Sequence, residues 1–149
     1  MGIRPMFTTQ DIKQMVDARM KIIEKAIIMR LSRLGEMCVN EARTNGGYTD
    51  RTGNLRSSVG YVIMANGKEV SSKFVLTKDG QQGIKQGSSL ALQISSKFAT
   101  GYAIIVVAGM DYAYYVEATG LNVLDSAEAL CKKQLPVMMK QLRENIKNS

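Results

Sequence analysis

Histidine is absent from all 149 residues. With it go His-assisted nucleophiles, histidine metal sites and the side chain that most readily titrates near neutral pH. Cysteine is scarce. Cys38 and Cys131 are the only two, each among apolar neighbours at helical spacing. They read as small buried hydrophobes in a reducing compartment, and two thiols alone make a poor zinc site. Long apolar runs are also missing. The stretch YAIIVVAGM at 102–110 has the length of a strand, far short of the ~20 residues a membrane helix requires. The first residues, MGIRPMFTTQD, have no signal-peptide core, and Met6 stands where a myristoylation signal places Ser or Thr. A soluble, cytosolic chain with no membrane partner is expected. Paired acids are lacking too. Asp50, Asp79, Asp111, Glu117 and Asp125 are scattered along the chain. No catalytic, cofactor or metal residues are therefore expected, and no enzyme.

What is present begins with charge. The formal net charge is +7, which permits contact with nucleic acid, an anionic membrane or an acidic partner without choosing among them. The basic residues are spread, with Lys13, Lys21, Lys25, Arg30 and Arg33 on one segment and Lys132, Lys133, Lys140, Arg143 and Lys147 on another. Nucleic-acid binders usually concentrate such charge on one element, so a merely lysine-rich surface is the competing reading. Hydrophobic residues make up 45% of the chain, enough for one core. A single domain over 1–149 is expected, with residues 1–7 as a flexible N-terminus.

Periodicity predicts a long helix from Thr8 to the Asn45-Gly46-Gly47 end signal. Thr8 and Asp11 form a capping box, and Ile12, Val16, Met20, Ile23, Ile27, Leu31, Leu34, Cys38 and Ala42 make one apolar face. Some 35 residues of helix span about 50 Å, whereas a globule of this length has a radius of gyration of about 15 Å. The helix must break, with Gly35 the candidate, or project beyond its domain. Met15, Ile22, Ile28 and Met37 widen its apolar surface, a first hint of an oligomer. A short helical turn capped by Thr52 follows. Then come VGYVIMA and KEVSSKFVL, joined by Asn66-Gly67 as a β-hairpin. Residues 77–89, with Gly80, Gly83 and Gly87, read as a flexible loop. In 88–98 Leu90, Leu92 and Ile94 alternate like a strand while Leu90, Ile94 and Phe98 share one helical face, and a short helix is the preferred reading. The β-branched run at 101–109 reads as a central buried strand. Asp125 and Glu128 suggest a capping box for a C-terminal helix that Pro136 should kink. The fold class is α+β: a long N-terminal helix, a small antiparallel or mixed β-sheet with a hairpin, a short middle helix and a kinked C-terminal helix. The helices are expected on one side of the sheet.

The stretch YTDRTGNLRSSVGY at 48–61 concentrates turn chemistry and charge directly before a strand. Asp50 and Gly53 suit turns, and Leu55 and Val59 are anchor-sized. Arg51 and Arg56 offer planar forks for carboxylate or phosphate. Glu117 in YYVEATG either has a raised pKa and works as an acid or base, or accepts a hydrogen bond or ion pair from Arg51 or Arg56. Tyr112, Tyr114 and Tyr115 suit base stacking, an interface or the core.

Two short motifs recur here in a definite order. Thr52, Gly53, Leu55, Arg56 and Ser58 form the first; Tyr112, Ala113, Tyr115, Val116, Glu117 and Gly120 the second, after a glycine-rich stretch and before a terminal helix. In that order and spacing, over roughly residues 8–147, the chain resembles the phage tail-completion and head–tail joining proteins. These are the gene-product-ten-like proteins of the phage HK-ninety-seven and their prophage relatives. The long region 68–89 departs from the family pattern. The resemblance implies a non-enzymatic virion protein, made in the host bacterial cytoplasm, that forms a homo-oligomeric ring at the head–tail junction or head-proximal tail end. It implies other neck or tail proteins as partners and a basic lumen touching genomic DNA without reading its sequence. Arg51, Thr52, Gly53, Leu55, Arg56, Tyr112, Tyr115 and Glu117 are then the candidate partner-interface residues. The alternatives are a small basic nucleic-acid-binding homodimer and an enzyme using Glu117 with Arg56.

Overall fold

The computed structural model describes residues 2, 6–110, 113, 117, 120 and 122–148. Helix α1 spans Thr9–Thr44, α2 Asn54–Ser57, β1 Val59–Ala65, β2 Lys68–Phe74, α3 Gln81–Ser95, β3 Tyr102–Ala108 and α4 Asp125–Lys147. The chain is α+β, with a three-stranded antiparallel sheet in the order β2-β1-β3.

The capping box of α1 is present. Thr8 N–H donates to Asp11 Oδ2 at 2.8 Å, and Asp11 N–H to Thr8 Oγ1 at 3.1 Å. The helix then runs unbroken for 36 residues. Gly35 does not break it. A Cβ there would lie 2.6 Å from the ring of Tyr61, so glycine is the residue that lets the sheet's tyrosine seat against the helix. The Tyr61 hydroxyl donates to Glu36 Oε1 at 3.0 Å. α1 ends at Asn45 with φ −104°, not in the left-handed conformation its Asn-Gly-Gly sequence suggests.

The hairpin turn is Asn66-Gly67, with φ of 50° and 81°, the positive values a two-residue turn needs to follow the twist of its strands. The central strand is β1, bonded on both sides and buried at every residue. β3, expected at the centre, lies at an edge. Both strands are uncharged apolar runs, and strand order is a tertiary property that neither run encodes. Gly60 sits inside β1 because the Phe74 ring occupies the space a Cβ would need, 2.3 Å away.

The helices cover both faces of the sheet, not one. Val59, Tyr61 and Ile63 of β1 pack with Leu31, Leu34, Cys38 and Ala42 of α1, and with Cys131 and Leu135 of α4. On the opposite face Val62, Met64, Ile105 and Val107 pack against Ala91, Leu90 and Ile94 of α3. This second layer joins the short helix expected over 88–98 to part of the stretch expected to be loop over 77–89. The loop ends at Gly80, and helix begins at Gln81. Gly83, Gly87, Ala91 and Ser95 are its buried positions, four residues apart on one face. A Cβ on Gly83 would stand 2.0 Å from the Asn54 carbonyl oxygen, and one on Gly87 2.4 Å from that of Ser58. These glycines form a ridge that brings α3 onto the backbone before β1. The close approach outweighs their low helix propensity.

α4 continues through Pro136 as one element. Its expected Asp125/Glu128 capping box is absent: the N-cap is Leu124, without a side-chain cap bond. Among the described residues no helix is long and apolar enough to cross a membrane.

Candidate functional site

The 48–58 segment is built as a crossing of four pieces of chain. Tyr48 and Leu55 are buried with Met110, Ala113 and Val123. Asp50, 9% exposed, accepts from the N–H of Gly53 at 3.0 Å and of Arg56 at 3.3 Å. It thus satisfies the start of α2 from outside, since Gly53 is the N-cap and carries no side chain to do so. Thr52, expected as the cap, is exposed and accepts from Asn54 N–H at 3.3 Å. Gly53 adopts φ +83°, and a Cβ there would meet the Thr77 carbonyl oxygen at 1.9 Å. Ser57 Oγ accepts from Thr77 N–H at 2.8 Å and donates to the Thr77 carbonyl at 3.2 Å. Asn54 Oδ1 accepts from Gly83 N–H at 3.1 Å. The turn chemistry therefore locks the end of β2 and the start of α3 against the entrance of β1.

Arg56 is the one side chain of the first motif that this arrangement turns into a groove. The groove, about 430 Å³, lies between the last turns of α1 and the end of β2. Arg43, Arg56 and Lys73 line it with Glu36, Asn40, Thr44 and Thr77. The Arg56 guanidinium stands 5.8 Å from the centre of the Tyr48 ring. Its Nε and the Tyr48 hydroxyl are buried, and among the described residues neither atom meets a partner at hydrogen-bond geometry. Burial pushes the Tyr48 phenol above its ordinary value, although the Arg56 charge opposes this. Arg43 Nη2 donates to Thr77 Oγ1. Lys73 is bridged to Glu36 at 3.2 Å, and among the described residues neither Arg43 nor Arg56 is bridged to a carboxylate. Two arginines thus line one groove with hydroxyls beside them, and guanidinium forks are suited to a carboxylate or phosphate oxygen.

Of the other expected residues, those the structure describes do not line this groove. Arg51 is exposed. Tyr112 and Tyr115 lie outside the described residues, as do Tyr114 and Val116. Glu117 is bridged to neither arginine. Its carboxylate accepts from the N–H groups of Val123, Leu124 and Asp125, so it caps α4 from eight residues upstream. Negative charge belongs there, beside the positive end of the helix dipole. Arg43 was missed by sequence reasoning because one arginine at a helix end among many charges carries no signal. The glycine ridge did have one: 80, 83 and 87 are at helical spacing. Among the described residues no three His, Cys, Asp or Glu side chains gather as a metal site. No known family's profile, no curated protein and no solved structure matches this chain.

Proposed function

We propose that this chain is a structural protein of a tailed phage or prophage. It assembles with copies of itself as a ring at the head–tail junction or the head-proximal end of the tail. The observation that carries the reading is the first half of α1. Residues 9–22 are all exposed, about 20 Å of helix. They nevertheless carry Ile12, Met15, Val16, Met20 and Ile22, which are 46–71% exposed. An apolar arm of this kind is a surface for a partner subunit. The paired motifs support the same reading, as does the groove of Arg43 and Arg56, which is suited to an acidic side chain of a neighbouring ring. Light scattering on the purified chain across concentration and salt, followed by negative-stain imaging, tests it. Rings, or growth toward them with concentration, are expected. A strict dimer that gains mass only with short DNA at low salt would replace this reading with the nucleic-acid-binding one.

A further inference from the structure

The two outer edges of the sheet are made differently. β2 carries Lys68, Glu69 and Lys73, and its ladder with β1 is irregular between Ile63 and Met64. Charges and bulges of this sort keep other strands away. β3, YAIIVVA, has no charge and no proline, and it pairs regularly with β1 along all seven residues. Two hydrogen bonds just beyond its ends fix which way its backbone points. Gly109 N–H donates to the Ser58 carbonyl at 3.2 Å, and Asn66 N–H to that of Gly101 at 2.8 Å. Antiparallel alternation then turns the N–H and C=O of Ala103, Ile105 and Val107 toward β1. Those of Tyr102, Ile104, Val106 and Ala108 turn outward. Among the described residues none of these outward groups has a hydrogen-bond partner.

We propose that the outer edge of β3 is where a second copy of this chain joins, strand against strand and antiparallel, to make a six-stranded sheet across a two-fold axis. The edge is complementary to itself. With the axis at Ile105, Ile104 faces Val106 of the second copy and Tyr102 faces its Ala108. Every outward donor then meets an outward acceptor. That is about eight hydrogen bonds, within the range of about 10 ± 5 found in stable interfaces. Charge favours the same place, because the chain carries +7 overall and β3 carries none. Apolar cover is also unfinished beside it. Ile104 and Val106 are only half-buried, together with Cys131, Leu135 and Met138 of α4 in the same cluster. A two-fold contact closes on itself and yields pairs, whereas ring closure needs a separate head-to-tail surface such as the α1 arm. The inference stands on the edge geometry and does not rest on the virion reading.

Amide hydrogen exchange of the full chain, measured with light scattering at rising concentration, tests it. The amides of Tyr102, Ile104, Val106 and Ala108 should slow as pairs form, while those of Ala103, Ile105 and Val107 stay protected throughout. Ile104→Pro removes one outward donor and leaves every bond to β1 in place. It should weaken pairing at least roughly tenfold, since two symmetry-related hydrogen bonds are lost. Thermal unfolding of this variant should remain cooperative. Tyr102→Pro, at the first residue of the strand, serves if Ile104→Pro does not fold, and should also weaken pairing. Association in which the four outer amides keep their dilute rates would overturn the proposal, as would a monomer at millimolar concentration.

Discussion

Gly83 and Gly87 each hold a place that no side chain can share, because a carbonyl oxygen of the 54–58 segment stands where their Cβ would be. Gly83→Ala should therefore destabilise the fold by about 1–3 kcal/mol, the usual cost of overpacking, although alanine favours helix. A fall in the thermal midpoint checks this; an unchanged or raised midpoint would mean that α3 shifts freely on the sheet. Arg56 is the opposite kind of residue. Its guanidinium is bridged to no carboxylate among the described residues and lies over Tyr48 beside the groove. Arg56→Gln should leave the unfolding midpoint within a few degrees of the parent and lower the tendency to assemble, both read on one preparation. Of this site, the sequence makes the turn legible through Asp50, Gly53 and Leu55. Arg43 and Thr77 reach it only by tertiary contact, from residues 13 before and 21 after Arg56.

At the scale of elements, α4 begins where a distant carboxylate meets its free N–H groups. Glu117→Ala should cost about 0.5–2 kcal/mol, the range for losing a helix cap, and loosen the first turn of α4 in hydrogen exchange. If exchange at Val123 to Asp125 did not change, the cap would be supplied elsewhere. α1 divides into two parts with different duties. From Leu31 to Ala42 its apolar face is core; from Ile12 to Ile22 the same periodicity continues over solvent. Met15→Glu combined with Ile22→Lys should change monomer stability by no more than about 0.5 kcal/mol. The same pair should reduce association strongly, as measured by light scattering. Periodicity makes a helix legible, but it does not say how far the body extends beneath it.

Across the whole molecule, α1 and α4 meet at their two cysteines, which are free thiols. Burial, with Cys131 beside it, pushes the Cys38 thiol from 9.0 up to about 12. Burial likewise raises the phenols of Tyr48 and Tyr61. Between pH 9 and about 12 the unfolded chain holds fewer protons at Cys38 than the folded one, so stability must fall as pH rises through that window. Below pH 9 this contribution is complete. Urea midpoints at pH 8 and pH 10.5 should differ, the second being lower, and Cys38→Ala should narrow the gap. Equal midpoints in the parent chain would show that the thiol is reached by solvent.

Local pattern determined the elements that depend on neighbours in sequence. The capping box at Thr8, the long apolar stripe of α1, the Asn66-Gly67 turn and the apolar strand at 102–108 each follow from short-range sterics and hydrogen bonding. These act wherever the segment is placed. Tertiary structure decided what depends on the far side of a contact. Gly80, Gly83 and Gly87 look like a loop until the backbone they approach is known. The run at 102–108 looks central until β1 is seen between β2 and β3. Glu117 looks like a partner for arginine until the bare N-terminus of α4 is found beside it. The deciding energy lies in a close approach, in a strand pairing or in a polar group satisfied from a distance, and such terms exist only once the chain has closed on itself.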